Sequence, residues 1–193
     1  AGGADVRIVA VTKTFGPSAV DAAVAAGLDD VGENYAQEAA AKLTEITTTP
    51  TVHFIGRLQR NKVRLLAPHV DVWQTVDRPE LATEIAKRAP GAKVMIQVDI
   101  SGEENKGGCG PDTTEDLVMH ATDAGLEVIG LMGVALLAEP QAARPGFSVL
   151  RRLVDRLDLD ECSMGMSADL EIAVDEGATM VRIGRDLFGE RLG

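Results

Sequence analysis

Ile8-Val9-Ala10-Val11-Thr12-Lys13 (IVAVTK) reads as a buried strand that ends in an amine. A lysine at the end of such a strand is costly unless neighbours offset its desolvation, or unless desolvation is used to lower its pKa and free the amine for carbonyl chemistry. Taken alone, Lys13 reads more readily as a residue that merely caps a strand; the rest of the sequence changes that.

The same kind of segment recurs along the chain. Short apolar, β-branched runs near 6–12, 28–32, 51–55, 70–75, 93–100, 127–133, 161–164 and 179–183 alternate with helical patterns at 17–26, 34–46, 59–67, 79–89, 112–124, 140–157, 168–176 and 185–191. Pro17-Ser18, Pro79-Glu80 and Ser167-Ala168-Asp169 supply helix-start signals, and Gly27, Gly125 and Gly177 punctuate helix ends. Eight strand-helix units in series predict an α/β fold, a closed parallel (β/α)8 TIM barrel in one domain over residues 1–193. Roughly 24 residues per unit is compact for a fold that typically runs to about 250.

The 193 residues are 45% hydrophobic, enough for one well-buried domain and too few for a second full one. Nineteen basic against thirty acidic residues give a net charge of −11, which argues against a sequence-independent grip on nucleic acid or anionic membrane. Cys109 and Cys162 have no paired spacing, and no basic region followed by a long apolar core opens the chain. Together these predict a reducing, cytoplasmic setting with no signal peptide and no membrane span. His53, His69 and His120 are scattered and join no metal-ligand spacing, so no metal site is expected. There is no GxGxxG after the first strand and no GxxxxGK[ST], so dinucleotide and P-loop readings lose their usual support.

In a parallel barrel the polar residues at the C-terminal strand ends converge on one mouth. Those residues are Lys13, the run Glu33-Asn34-Tyr35, His53 with Gly56, Ser101-Gly102, the run Ser163 to Ser167, and Arg182-Ile183-Gly184. Alternation places Val9, Val11 and Lys13 on one face and Met180, Arg182 and Gly184 on one face, so a closing barrel is expected to set Arg182 beside Lys13 and lower its pKa. Arg182 is otherwise a strand-end arginine paired with a surface carboxylate. SMGMSADLE (163–171) and RIGRD (182–186) have the look of a phosphate site after strands seven and eight, with Ser167 equally an ordinary N-cap. Asn34 is either a donor to a ligand oxygen or the N-cap of the following helix, and His53 reads better as a satisfied core histidine than as a proton shuttle. Arg57, Arg60, Lys62 and Arg64 form mainly a solvated helix face whose first turn points to the mouth. Lys106 is a rival amine, in a loop ill suited to a preorganised imine.

The segments AVTKT (10–14), GENYAQE (32–38), HFIGRLQRNK (53–62), TVD (75–77), VDISGEENKGG (98–108), GLM (130–132), SMGMSADLEIA (163–173) and MVRIGRDLFGER (180–191) resemble, in order, those of the YggS/PROSC pyridoxal phosphate homeostasis proteins. The resemblance covers nearly the whole chain. It implies a barrel like the N-terminal domain of alanine racemase, with pyridoxal 5′-phosphate held as a Schiff base on Lys13. By the same resemblance Ser167 and the Gly184 backbone look like phosphate ligands, Arg182 like the partner of the pyridine nitrogen, Asn34 like part of the pocket wall, and Ser163 and Gly165 like further cofactor contacts. Three departures stand out: the sequence begins almost at strand one without the family's usual leading helix, so the mouth or the barrel bottom is expected to be less covered; Val52 stands where an aromatic residue is usual; and the tract 133–147 matches loosely.

The resemblance implies a carrier rather than an efficient enzyme. Racemases of this type take a tyrosine from a second domain, whereas this sequence has only Tyr35, and an arginine facing the pyridine nitrogen leaves it unprotonated and a poor electron sink. The expected function is reversible holding of pyridoxal phosphate in cofactor homeostasis, by a monomer that passes it to apo forms of pyridoxal phosphate enzymes. The enzymatic alternatives are a weak amino-acid racemase and a cofactor-free Schiff-base aldolase.

Overall fold

Each of the eight apolar runs is a strand, and each is followed by a helix. In the computed structural model, which describes residues 6–102, 107–135 and 140–189, the strands are β1 (Arg7–Val11), β2 (Asp30–Glu33), β3 (Thr51–Phe54), β4 (Val72–Val76), β5 (Lys93–Val98), β6 (Glu127–Gly133), β7 (Glu161–Ser163) and β8 (Met180–Ile183). The helices are α1 (Pro17–Ala25), α2 (Ala36–Lys42), α3 (Val63–Leu66), α4 (Pro79–Arg88), α5 (Thr114–Asp123), α6 (Arg144–Arg156), α7 (Leu170–Asp175) and α8 (Arg185–Phe188). Pro17 and Pro79 open α1 and α4, where a missing N–H costs nothing and the fixed φ suits the first turn. Short 3₁₀ turns precede α3, α5 and α6, so these begin later than the sequence pattern suggests.

All eight strands pair in parallel and in chain order, and β8 returns to β1 to close the barrel. The closing register sets Val9 opposite Arg182 and Ala10 opposite Ile183. Alternation then separates two cores. Val9, Met95, Met132 and Met180 fill the inside of the barrel. Outward residues such as Ala10, Val31, Phe54, Trp73, Ile96, Leu131 and Val181 meet the apolar faces of the helices.

Helix α6 shows how the outer layer is built. Phe147, Leu150, Leu153 and Val154 recur at helical spacing, are buried, and pack on the sheet, while Arg152 and Arg156 lie exposed on the other side and Arg151, at the edge of the apolar stripe, is half-buried against Gly177. By contrast, α7 and α8 are short, and the outer face at the β8–β1 seam keeps a groove of about 520 Å³ lined by Val6, Ile8, Leu170, Val174, Val181 and Ile183. Ile8 is 38% exposed there. No helix among the described residues is long and apolar enough to cross a membrane, and no cluster among them has the makings of a metal site.

Phe147 is fully buried, so Phe147→Ala is expected to lower unfolding free energy by about 3–5 kcal/mol, through lost transfer energy and the cavity left behind. Urea denaturation followed by Trp73 fluorescence measures the loss.

Candidate functional site

Two polar systems surround the C-terminal rim, one on each side of the sheet. The outer one fixes the backbone that carries Lys13. Thr12 faces out beneath α2, and its hydroxyl donates to Glu33 Oε1 at 2.6 Å. Lys42 Nζ, buried on α2, donates to the Thr12 carbonyl and to Glu33 Oε1, each at 2.7 Å, and to Glu38 Oε1 at 2.8 Å. Glu38 also accepts the N–H of Thr14, whose φ of 69° is unusual for a residue with a side chain. The residues on both sides of Lys13 are therefore held, and Lys13 projects half-buried at the mouth. Burial pushes the Glu33 carboxyl above the usual carboxylate range despite its bonds to Lys42 and Thr12.

The inner system crosses the barrel. Arg182 reaches from β8 toward β6 and β7: its Nη1 donates to the Ser163 carbonyl at 2.9 Å and to Ser163 Oγ at 2.8 Å, and its Nη2 donates to the Gly133 carbonyl at 2.8 Å. Burial pushes its pKa down to about 10. Ser163 Oγ in turn donates to Gln74 Oε1 at 2.7 Å, Gln74 Nε2 lies 2.8 Å from His53 Nδ1, and His53 Nε2 lies 2.7 Å from Asp30 Oδ1. The hydrogen bond from His53 is the main cause holding the Asp30 carboxyl below its ordinary range.

This geometry corrects the expected pairing of Arg182 with Lys13. Arg182 stands opposite Val9, whereas Lys13 comes four residues later, two beyond the end of β1. The guanidinium is committed to carbonyls of β6 and β7, and it pairs with no surface carboxylate among the described residues. Gly184, on the same face, packs against Val11, two residues before Lys13: a Cβ there would lie 3.3 Å from Val11 Cβ.

The loops after β7 and β8 are built differently from the sequence pattern. Helix α7 begins at Leu170 rather than 168, with Asp169 at its N-cap position, so Ser167 lies in the preceding turn and is not a helix cap. Asp169 Oδ1 accepts the Met166 N–H at 2.6 Å, which tightens that turn. Gly165 has φ 93°, its carbonyl accepts the Arg182 N–H at 3.0 Å, and a Cβ there would meet Ala173 Cβ at 2.4 Å, so only glycine fits. Gly184 is at the N-cap position of α8. Phe15, just after Lys13, packs on Phe188 with ring centroids 5.3 Å apart and ties α8 to the rim.

Asn34 is not a helix cap either, because α2 starts at Ala36 with Tyr35 at the N-cap position and no side-chain cap bond. Its Oδ1 is buried with no hydrogen-bond partner among the described residues, and Asn34 lines a cavity of about 700 Å³ over the β2–β4 ends together with Tyr35, Phe54, Arg57, Lys62 and Arg78. Gly56 brings the neighbouring loop against it, since a Cβ would lie 2.0 Å from the Asn34 carbonyl oxygen. Of the basic stretch, Arg57 and Lys62 reach this cavity, whereas Arg60 and Arg64 are exposed beside it. His53 is a core histidine bonded at both ring nitrogens, as expected. Glu33 turns outward from the mouth to the clamp. Both cysteines are free thiols, and burial pushes Cys162 up to about 12. Lys106 lies outside the described residues.

The residues present suit pyridoxal phosphate. An amine is held at the rim, a buried amide oxygen lacks a partner among the described residues, the loops after β7 and β8 carry half-buried Ser167 and Gly184, and a donor-only arginine lies buried on β8. Sequence reasoning missed Lys42, Glu38, Gln74 and Asp30. Lys42 and Gln74 each lie in a segment of ordinary helix or strand composition, with no local mark of the partners they find.

Two predictions follow from these networks. Lys42→Met leaves Glu33 buried without its cation and is expected to cost about 3–5 kcal/mol in denaturant unfolding. Asp30 has a depressed folded pKa, so its contribution is present above the unfolded carboxylate value near 4 and is lost as pH falls through the lower folded value. The stability gap between the parent and Asp30→Asn is therefore expected at neutral pH and to close in acid, as read by unfolding curves across that range.

Comparison with known proteins agrees with this architecture. The family model for the alanine racemase N-terminal domain matches residues 1–192. The chain is 43% identical over 199 residues to the pyridoxal phosphate homeostasis protein of Pseudomonas aeruginosa, covering 97% of this chain and 86% of that one. It is 38% identical over 210 residues to the human protein of the same name, covering 96% and 76% respectively. The structure of PipY from Synechococcus elongatus with PLP bound superposes with a TM-score of 0.82 at 30% identity, covering 96% of this chain and 93% of that chain. The deciding similarity thus runs through sequence and fold together, and this chain belongs to the alanine racemase N-terminal domain family, among the pyridoxal phosphate homeostasis proteins.

Proposed function

We propose that this protein holds pyridoxal 5′-phosphate reversibly on Lys13 and serves cofactor homeostasis rather than catalysis. The observation that carries this reading is the inner arginine. Arg182 is buried, donates through Nη1 and Nη2 to Ser163 and Gly133, and has no acceptor to offer. A pyridine nitrogen facing it stays unprotonated. Bound to an amine, pyridoxal phosphate supplies an electron sink for charge at the substrate Cα, and an unprotonated ring supplies a weak one. The same arrangement that binds the cofactor thus limits what it does there.

The roles follow from position. Lys13 is the anchoring amine, presented by the clamp of Glu33, Glu38 and Lys42. Ser167, Gly165 and Gly184 hold the phosphate through the loops after β7 and β8, Ser163 fixes Arg182, and Asn34 offers its unpaired oxygen from the pocket wall. Names and bound cofactor among the relatives support the same reading. An amine at an open rim exchanges its cargo readily, which suits delivery to apo forms of pyridoxal phosphate enzymes. The free thiols suit a reducing, cytoplasmic setting, and the protein acts as a monomer.

Addition of pyridoxal phosphate to the purified protein is expected to give a visible absorbance band that is absent in Lys13→Ala. No band in the parent overturns the cofactor reading, and borohydride trapping of a sugar phosphate without a chromophore would point to an aldolase. Exchange of the alanine Cα proton in deuterated water at enzymic rates would overturn the carrier half and leave a racemase.

A further inference from the structure

The chain of hydrogen bonds from Arg182 to Asp30 has a single direction. Arg182 has only donors, so Ser163 Oγ accepts from it and spends its own hydrogen on Gln74 Oε1. That fixes the Gln74 amide, whose nitrogen donates to His53 Nδ1, and the imidazole proton then lies on Nε2 and donates to the Asp30 carboxylate. Every donor points from the guanidinium toward the carboxylate. His53, Gln74 and Ser163 are wholly buried, whereas the Asp30 side chain keeps 18% of its exposure at the far end of β2.

A buried cation without compensation costs several kcal/mol. Among the described residues no carboxylate forms an ion pair with Arg182, and Asp169 acts on it only through space. A one-way chain of polar groups in a low-dielectric interior polarises along its length, each bond strengthening the next. Asp30 is thereby coupled to a guanidinium on the opposite side of the barrel.

We propose that Asp30, His53 and Gln74 are positioning residues, which with Ser163 form a hydrogen-bond relay that holds the Arg182 guanidinium at the cofactor's pyridine nitrogen. The cofactor end of this statement rests on the function proposed above; the relay itself does not. Asp30 and His53 are joined to Arg182 through Gln74 and Ser163, and the relay is the route by which they influence bound cofactor.

The test uses ¹⁵N-labelled protein without cofactor. In Asp30→Asn, which removes the charge at the solvent end, and in Gln74→Met, which severs the middle, the guanidinium N–H protons of Arg182 are expected to exchange roughly tenfold faster, the equivalent of one charge-assisted hydrogen bond weakened. His53 in Gln74→Met is expected to show a shifted Nδ1 resonance. In cofactor-loaded Asp30→Asn the visible absorbance maximum is expected to move although the substitution lies across the barrel; a merely structural role for Asp30 would lower stability and leave the band where it is. If Gln74→Met does not fold, Asp30→Asn, at the solvent end, decides alone. Unchanged Arg182 exchange in folded Asp30→Asn overturns the relay. A parent protein without a visible band would defeat the cofactor reading, and the exchange measurement would still decide the relay.

Discussion

Closure of the sheet between β8 and β1 is the constraint on which the rest of this molecule depends. Val9 opposite Arg182 sets the register, and the two-residue period of a strand then dictates which side chains share the barrel interior. A slip by one residue would exchange the two faces of β8. Arg182 would enter the apolar layer beneath the helices, and Val181 and Ile183 would enter the polar interior. Burial of those apolar groups outside and the hydrogen bonds of Arg182 to Ser163 and Gly133 inside therefore enforce the same register from both sides of the sheet.

Alternation also explains how a flexible lysine comes to be well placed. Thr12 and Lys13 are adjacent in sequence and point to opposite faces. The outward threonine is caught by Glu33 and Lys42 under α2, and the following Thr14 is caught by Glu38. The clamp therefore acts on backbone and leaves the Lys13 side chain to the mouth. It consists of a buried ion pair with its hydrogen bonds largely filled, an arrangement that contributes geometric specificity more surely than net stability.

The interior of the barrel is divided in the same spirit. Val9, Met95, Met132 and Met180 fill one part with apolar volume, and the path from Asp30 through His53, Gln74 and Ser163 to Arg182 fills another with matched donors and acceptors. The two touch where Gln74 Nε2 approaches Met180 Sδ at 3.1 Å. A buried guanidinium is tolerated here because its donors reach carbonyls of β6 and β7 as well as the Ser163 hydroxyl.

Sequence by itself determined the eight alternating strands and helices, the closed parallel barrel they require, and Lys13 as the residue to watch, because each depends on local composition, period two or 3.6, and the position of prolines and glycines. It also identified His53 as a satisfied core residue, from a lone imidazole set between apolar neighbours. Tertiary structure alone decided where Arg182 points, that Ser167 precedes its helix by three residues, and that Lys42, Gln74 and Asp30 belong to the site at all. The bond from Ser163 to Gln74 joins residues 89 apart, and that from Arg182 to Gly133 joins residues 49 apart. A donor and an acceptor at such separations leave no periodic or compositional trace, since nothing brings them within hydrogen-bond distance until the barrel closes.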